Sequence, residues 1–256
     1  MKIEVLGAHN SEVKDRFYVS ILIDDMIAMD AGCLTSTLTA SQQSNLKAIL
    51  LSHIHYDHVR DIPAIALNKY TDNSKVKVYA TQITCRGLTN YLLNGVMYPK
   101  FHSIPISAPV IELSGISPGV HYNILDYDVT ALLVTHVAGA VAYNLVDKKS
   151  KGIFYTGDTG PGFSQHLRDK LPSIIISEVT FPNKAEEHAM FTNHLTPKLL
   201  RLELERIYQH NGNVPPVVAI HMEPQSEVEI RAELMEVSCD LNAKIDVAEE
   251  GLIVYL

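Results

Sequence analysis

Residues 52–61 read SHIHYDHVRD, so three histidines and one aspartate fall within six consecutive positions, in the order His-x-His-x-Asp-His. They directly follow the apolar run LKAILL at 46–51. A short, continuous apolar run reads as a strand buried on both faces. The chain must therefore cover that strand with layers on both sides and still present imidazoles at its C-terminal tip, where open α/β sheets carry their chemistry. His53 and His55, two residues apart on an extended segment, lie on one side and can grip one ion. Asp57 and His58 follow after one spacer, where a turn can aim them at a second ion. A catalytic zinc takes about three protein side chains. Four candidates in one loop exceed that need, so further ligands are expected from other strand ends.

Three other runs supply them. His136 closes TALLVTH, Asp158 closes KGIFYTGD and His221 closes PVVAIH, each at the C-terminal end of an apolar strand-like stretch. Together these residues suffice for two metal ions with Asp158 bridging. His53, His55 and His136 are assigned to the first ion, and Asp57, His58 and His221 to the second. His9, His102, His121, His166, His188 and His210 have no such setting and are expected on the surface or in loops.

The rest of the chain frames the site. No linker, repeat or low-complexity stretch divides the 256 residues, so one domain over 1–256 is expected, and an apolar fraction of 46% supports a large core. The charge balance, 21 basic against 29 acidic residues for a net −8, argues against broad nucleic-acid binding. It still allows an anionic small substrate, because divalent ions can reverse the local sign. Three dispersed cysteines without a CxxC pair exclude a zinc ribbon and point to a reducing cytoplasm. The N-terminus reads as a strand rather than a signal peptide, and no apolar stretch approaches the length of a membrane span. Strands are predicted at KIEVL, FYVSILI, MIAMD, KAILLS, VKVYA, DVTALLVTH, VAYNLVD, KGIFYTGDTG (a strand ending in the Gly-flanked Asp158), LPSIIISEV, PPVVAIH, AKIDVA and GLIVYL. Helices are predicted at TQITCRGLTNYLL (81–93), at TPKLLRLELERIYQH (196–210) with Thr196 as its N-cap, and at SEVEIRAELMEVSCD (226–240). Both halves mix strands and helices, which suggests an α/β (α+β) protein of two packed mixed sheets with helices outside.

His-x-His-x-Asp-His followed in order by His, Asp and His resembles the metallo-β-lactamase fold hydrolases. That resemblance implies an αββα sandwich holding two divalent metals, zinc in most members, with manganese or iron as alternatives. Asp30, in AMDAG, matches a family aspartate that supports the ligand loop from behind. Four further stretches are similar to the class II cyclic-nucleotide phosphodiesterases: GLTNYLLNGVMYPKF (87–101), YTGDTGP (155–161), IISEVTFPN (175–183) and NHLTPKLLRLEL (193–204). The chain departs from that pattern at Tyr56, in VAGAVAYNL after His136, and in YPKF. The resemblance implies hydrolysis of a 3′,5′-cyclic nucleotide such as cyclic AMP or cyclic GMP to the 5′-monophosphate by hydroxide generated between the metals, with Asp57 and Asp158 at the centre. His194, just before a helix N-terminus, is the expected proton donor or phosphate clamp. Asn193, Thr196, Phe181 and Tyr98 are candidate substrate contacts, and Glu178 reads as structural. The expected partner is a small phosphodiester, with neither a nucleic-acid polymer nor a membrane; a homodimer is left open. A tRNA 3′ endonuclease, a generic phosphodiesterase, a lactonase or a thioesterase would use the same site, and a di-iron redox protein or a metal scaffold without turnover is the reading of another class.

Overall fold

The structure is a computed structural model that describes all residues, 1–256. In chain order the first sheet takes β1 (Lys2–Gly7), β2 (Ser20–Ile23), β3 (Ile27–Met29), β4 (Ala48–Leu50), β5 (Val76–Thr81) and β6 (Ile111–Ile116). The second takes β7 (His121–Ile124), β8 (Tyr127–Leu133), β9 (Val141–Asp147), β10 (Gly152–Tyr155), β11 (Ile174–Glu178), β12 (Val217–Ile220) and β13 (Ile245–Val247). The last strand, β14 (Ile253–Tyr255), returns to pair with β1. The sheet orders are β14-β1-β2-β3-β4-β5-β6 and β7-β8-β9-β10-β11-β12-β13. Each sheet begins with antiparallel pairs and turns parallel at its fourth strand, β3 in one and β10 in the other.

Helices α1 (Leu34–Thr37), α2 (Ala40–Asn45), α3 (Tyr56–Val59), α4 (Ile62–Thr71) and α5 (Gln82–Gly87) lie with the first sheet. Helices α6 (Glu186–Thr192), α7 (Pro197–Asn211) and α8 (Glu227–Leu241) lie with the second. The period-2 alternation of strand side chains explains why the central strands are apolar throughout. In β4, Leu50 faces the core between the sheets while Ile49 faces the helices. In β10, Ile153 and Tyr155 face inward and Phe154 outward, and β12 divides the same way, with Val218 and Ile220 inward and Val217 and Ala219 outward. The resulting four layers are the expected αββα sandwich.

Helix α7 starts as its sequence predicts: the Thr196 hydroxyl accepts from Leu199 N and Pro197 opens the first turn, while Gly212, at φ 70°, closes the far end. The helix predicted over 81–93 is shorter. It is regular only to Gly87, and Leu88–Leu92 continue as a π turn, in which Leu93 N bonds to Leu88 O at 2.8 Å. Strands β6 and β7, at the sheet edges, carry exposed polar residues and gave no strand signal. One histidine expectation is overturned. His9 is fully buried, because β1 runs on to bridge Met222 and Tyr18, and Glu250 and Glu227 enclose its ring. No helix is long and apolar enough to cross a membrane.

Two glycines let the sheet tips approach. A Cβ on Gly32 would fall 2.1 Å from the carbonyl oxygen of Asp57, so the ligand loop packs on bare backbone there. Gly157 has φ +57°, and a Cβ would sit 2.7 Å from Cβ of Ser52 on the other sheet.

Candidate metal centre

The loops that leave the strand tips meet at one edge of the sandwich. Asp30 follows β3 in the left-handed region, at φ 58°, and is fully buried. Its carboxylate accepts from Ser52 N and Ser52 Oγ at 2.7 Å each, from the Tyr155 hydroxyl, and from His58 Nδ1 at 2.7 Å. This network assigns the His58 proton to Nδ1 and leaves Nε2 facing Asp158 Oδ1 at 3.2 Å and Asp57 Oδ2 at 3.4 Å. The Ser52 hydroxyl, having donated to Asp30, accepts from His53 Nδ1 at 3.0 Å. His53 Nε2 then points to Asp158 Oδ2, 3.7 Å away.

His136 donates from Nδ1 to the carbonyl of Asn193 at 3.2 Å, and its Nε2 lies 3.1 Å from His55 Nδ1 and 3.7 Å from Asp158 Oδ2. His221, past the tip of β12 at φ 65°, places Nε2 3.2 Å from Asp57 Oδ2 and 3.3 Å from Asp158 Oδ1. A left-handed backbone is uncommon outside glycine, and it falls here at a residue whose ring faces the cluster. Beside a three-residue group of Glu178, His194 and His221, two four-residue groups result, each with its ligand atoms within 4.8 Å of one another: His53, His55, His136 and Asp158, and Asp57, His58, Asp158 and His221. Asp158 belongs to both.

The electrostatics favour a cation. Burial lowers His53 well below the ordinary histidine range, and His55 and His136 are lowered by burial too. For Asp158, burial opposes ionisation, but His221, His58 and His53 outweigh it and hold the carboxyl well below its usual range. Asp57 is likewise held down by His58 and His221 against its burial. Neutral imidazoles and ionised carboxylates are the metal-binding forms. His58 runs the other way: burial lowers it, but Asp158, Asp57 and Asp30 together raise it well above the usual value. Three carboxylates thus gather around one imidazole as they would around a positive ion.

His194 stands beside these groups, its ring 4.8 Å from that of His136 and stacked on that of His221 at 5.5 Å. Its Nδ1 donates to Glu178 Oε1 at 2.7 Å. Burial disfavours its charge, but Glu178 overrides this and pushes its pKa up to about 9. Phe181 meets the His194 ring edge-on at 5.8 Å, so it lies next to the site. Asn193 holds His136 through its carbonyl, and Thr196 is fully buried with its hydroxyl engaged in capping α7. Tyr98 is half-buried and packs on the helices of the first sheet. Sequence reasoning missed Ser52, Tyr155 and Thr180, the polar groups behind the imidazoles. Ser52 directly precedes His53, while Tyr155 and Thr180 lie a few residues from Asp158 and Glu178 within the stretches YTGDTGP and IISEVTFPN, and that placement is the signal they leave.

These features define a metallo-β-lactamase fold protein. The chain superposes on unliganded yeast PDE1 with a TM-score of 0.82 at 17% identity, covering 100% of this chain and 99% of that one. It superposes on the metallo-β-lactamase fold protein YhfI of Bacillus subtilis with a TM-score of 0.76 at 18% identity, covering 99% of each. The human short-form tRNase Z matches with a TM-score of 0.71 at 14% identity, over 100% of this chain and 99% of that one. More narrowly, the family described as "Anti-Pycsar protein Apyc1" matches residues 1–207, and the chain belongs to it. A curated relative, the "Probable 3',5'-cyclic-nucleotide phosphodiesterase" of Yersinia pestis, is 24% identical over 206 residues. That match covers 71% of this chain and 58% of the relative, so this chain accounts for little more than half of that protein's length.

Proposed function

We propose that the protein is a metal-dependent phosphodiesterase that opens 3′,5′-cyclic nucleotides to 5′-monophosphates. The observation that carries this reading is the sharing of buried Asp158 by two ligand groups, with a Glu178-tethered His194 beside them. The donor set fits two divalent ions. His53 Nε2, His58 Nε2 and Asp158 Oδ1 are buried yet lack a hydrogen-bond partner, an arrangement that is costly unless something binds there. His58 Nε2 and Asp158 Oδ1 are close, but without hydrogen-bond geometry.

His53, His55 and His136 would hold one ion, Asp57, His58 and His221 the other, and Asp158 both; imidazole and carboxylate donors suit zinc. Bound there, the ions would supply Lewis acidity and a nucleophile at neutral pH. The protein's own residues do the rest. Asp158 and Asp57 would set where the ions, and through them the diester phosphate, can lie; His53, His58, Asp158 and His221 are buried, while His55 is exposed and leaves that side of the cluster open to a substrate. His194, with Nδ1 tied to Glu178, presents Nε2 and donates its proton to the departing 3′ oxygen. Phe181, beside that ring, is a wall against which a base can pack. Cleavage of a cyclic nucleotide, a bis-aryl phosphodiester, a lactone and a thioester under the same conditions separates the candidate reactions. Preference for the cyclic nucleotide is expected, and turnover confined to the acyl substrates would overturn the reading.

Replacing His194 with alanine should leave the metal content unchanged and lower cyclic-nucleotide turnover by about 100- to 10,000-fold. Bis-(p-nitrophenyl) phosphate, whose leaving group needs no proton, should lose far less. An equal loss on both substrates would exclude proton donation by His194.

A further inference from the structure

Glu178 ends β11 fully buried, and its carboxylate gathers four donors. Thr159 N and His194 Nδ1 reach Oε1 at 2.9 and 2.7 Å, while Thr180 Oγ1 and Leu195 N reach Oε2 at 2.6 and 3.2 Å. Thr180, also fully buried, is the informative member. A threonine hydroxyl has one proton to give and lone pairs with which to accept. The proton goes to Glu178, the shortest of its contacts, so the oxygen can only accept from its other neighbours. His221 Nδ1 lies 2.8 Å from that oxygen and must therefore carry its hydrogen there. His194 Nδ1 is 3.2 Å from the same oxygen, but its shorter contact with Glu178 claims its hydrogen.

We infer that Thr180 is a positioning residue for the metal centre. Its hydroxyl relays the Glu178 carboxylate to His221, fixes that imidazole as the Nδ1–H tautomer and holds Nε2 toward Asp57 and Asp158. The same carboxylate holds His194 directly, so one buried charge orients a ligand of the second group and the neighbouring acid together. The inference rests on the reading of His221 as a metal ligand.

Two observations support it independently. The other sheet repeats the device: Asp30 holds His58 directly and His53 through the Ser52 hydroxyl. Ser52 and Thr180 also occupy matching places, just beyond β4 and β11, the fifth strands of their sheets. In addition, the backbone at Thr180 is fixed without its side chain. Its N–H donates to Leu195 O at 3.0 Å and its carbonyl accepts from Glu223 N at 3.0 Å. The hydroxyl is thus left to serve the imidazoles.

The test is zinc affinity of the full chain, stripped of metal and titrated against a chelator of known strength, for wild type, Thr180→Val and Thr180→Ser. Wild type is expected to bind two ions, one per four-residue group. Thr180→Val should keep one ion at wild-type affinity and hold the other about 10- to 100-fold more weakly. Thr180→Ser, which restores the hydroxyl, should recover wild-type affinity. Thermal melting of the metal-free chains confirms folding, and Thr180→Ala carries the same expectation if the valine variant does not fold. Wild-type affinity for both ions in the valine or alanine variant, or failure of serine to rescue, overturns the Thr180 assignment alone. A wild-type chain that binds fewer than two ions overturns the dinuclear reading and this inference with it.

Discussion

On the proposed dinuclear phosphodiesterase reading, Asp158→Ala is expected to abolish cyclic-nucleotide turnover, by about a thousandfold or more, and to strip at least one of the two ions. The reason is its double membership. Asp158 alone is common to the two four-residue groups, its two oxygens facing His53 and His136 on one side and His58 and His221 on the other. Alanine leaves those imidazoles together without the buried charge that compensates them, and the protein would lose both the bridge and the local negative potential that draws cations in. Metal content by mass spectrometry and steady-state turnover measure the two effects separately. Wild-type turnover with both ions retained would refute the bridging role.

The second large effect is expected at Asp30, which no substrate touches. Its carboxylate is fully buried and accepts from four donors, so Asp30→Ala strands the Ser52 amide and hydroxyl, the Tyr155 hydroxyl and His58 Nδ1 at once. Removing one partner of a buried charged network costs about 3–5 kcal/mol, and for a chain of this size the melting midpoint should fall by roughly 10 °C. Asp30→Asn keeps the shape but not the charge. It should therefore fold better than the alanine variant and weaken metal binding about 10- to 100-fold through a misoriented His58. Melting curves of the metal-free proteins, followed by zinc titration, check both statements. An alanine variant that melts with the wild type would show that the network carries no stability.

How much of this was legible from the residues follows from what each signal depends on. The buried strands were legible because burial on both faces makes a strand apolar at every position, as in β4, β10 and β12. Helix α7 was legible because its cap, its opening proline and its apolar face are local. The edge strands β6 and β7 were not, since exposed edges tolerate polar residues. The buried state of His9 was also hidden, because Met222 and Glu250 approach it only through folding. Among the candidate contacts, Thr196 reads equally well as a ligand-facing hydroxyl or a cap until its burial is known.

The sequence by itself determined the chemistry on offer: a crowded His-x-His-x-Asp-His loop, three more ligands each at the end of an apolar run, and a histidine ahead of a capped helix. These are properties of residue type and spacing, and a strand delivers whatever follows it to its tip. Only the tertiary structure decided that Asp30 and Glu178 each orient one imidazole directly and another through a hydroxyl. Those facts depend on the packing of two sheets face to face, and on hydrogen-bond partners as far apart in the chain as Asp30 and Tyr155, or Thr180 and His221. Hydrogen-bond geometry is set to tenths of an ångström by that packing, and no pattern along the chain encodes it.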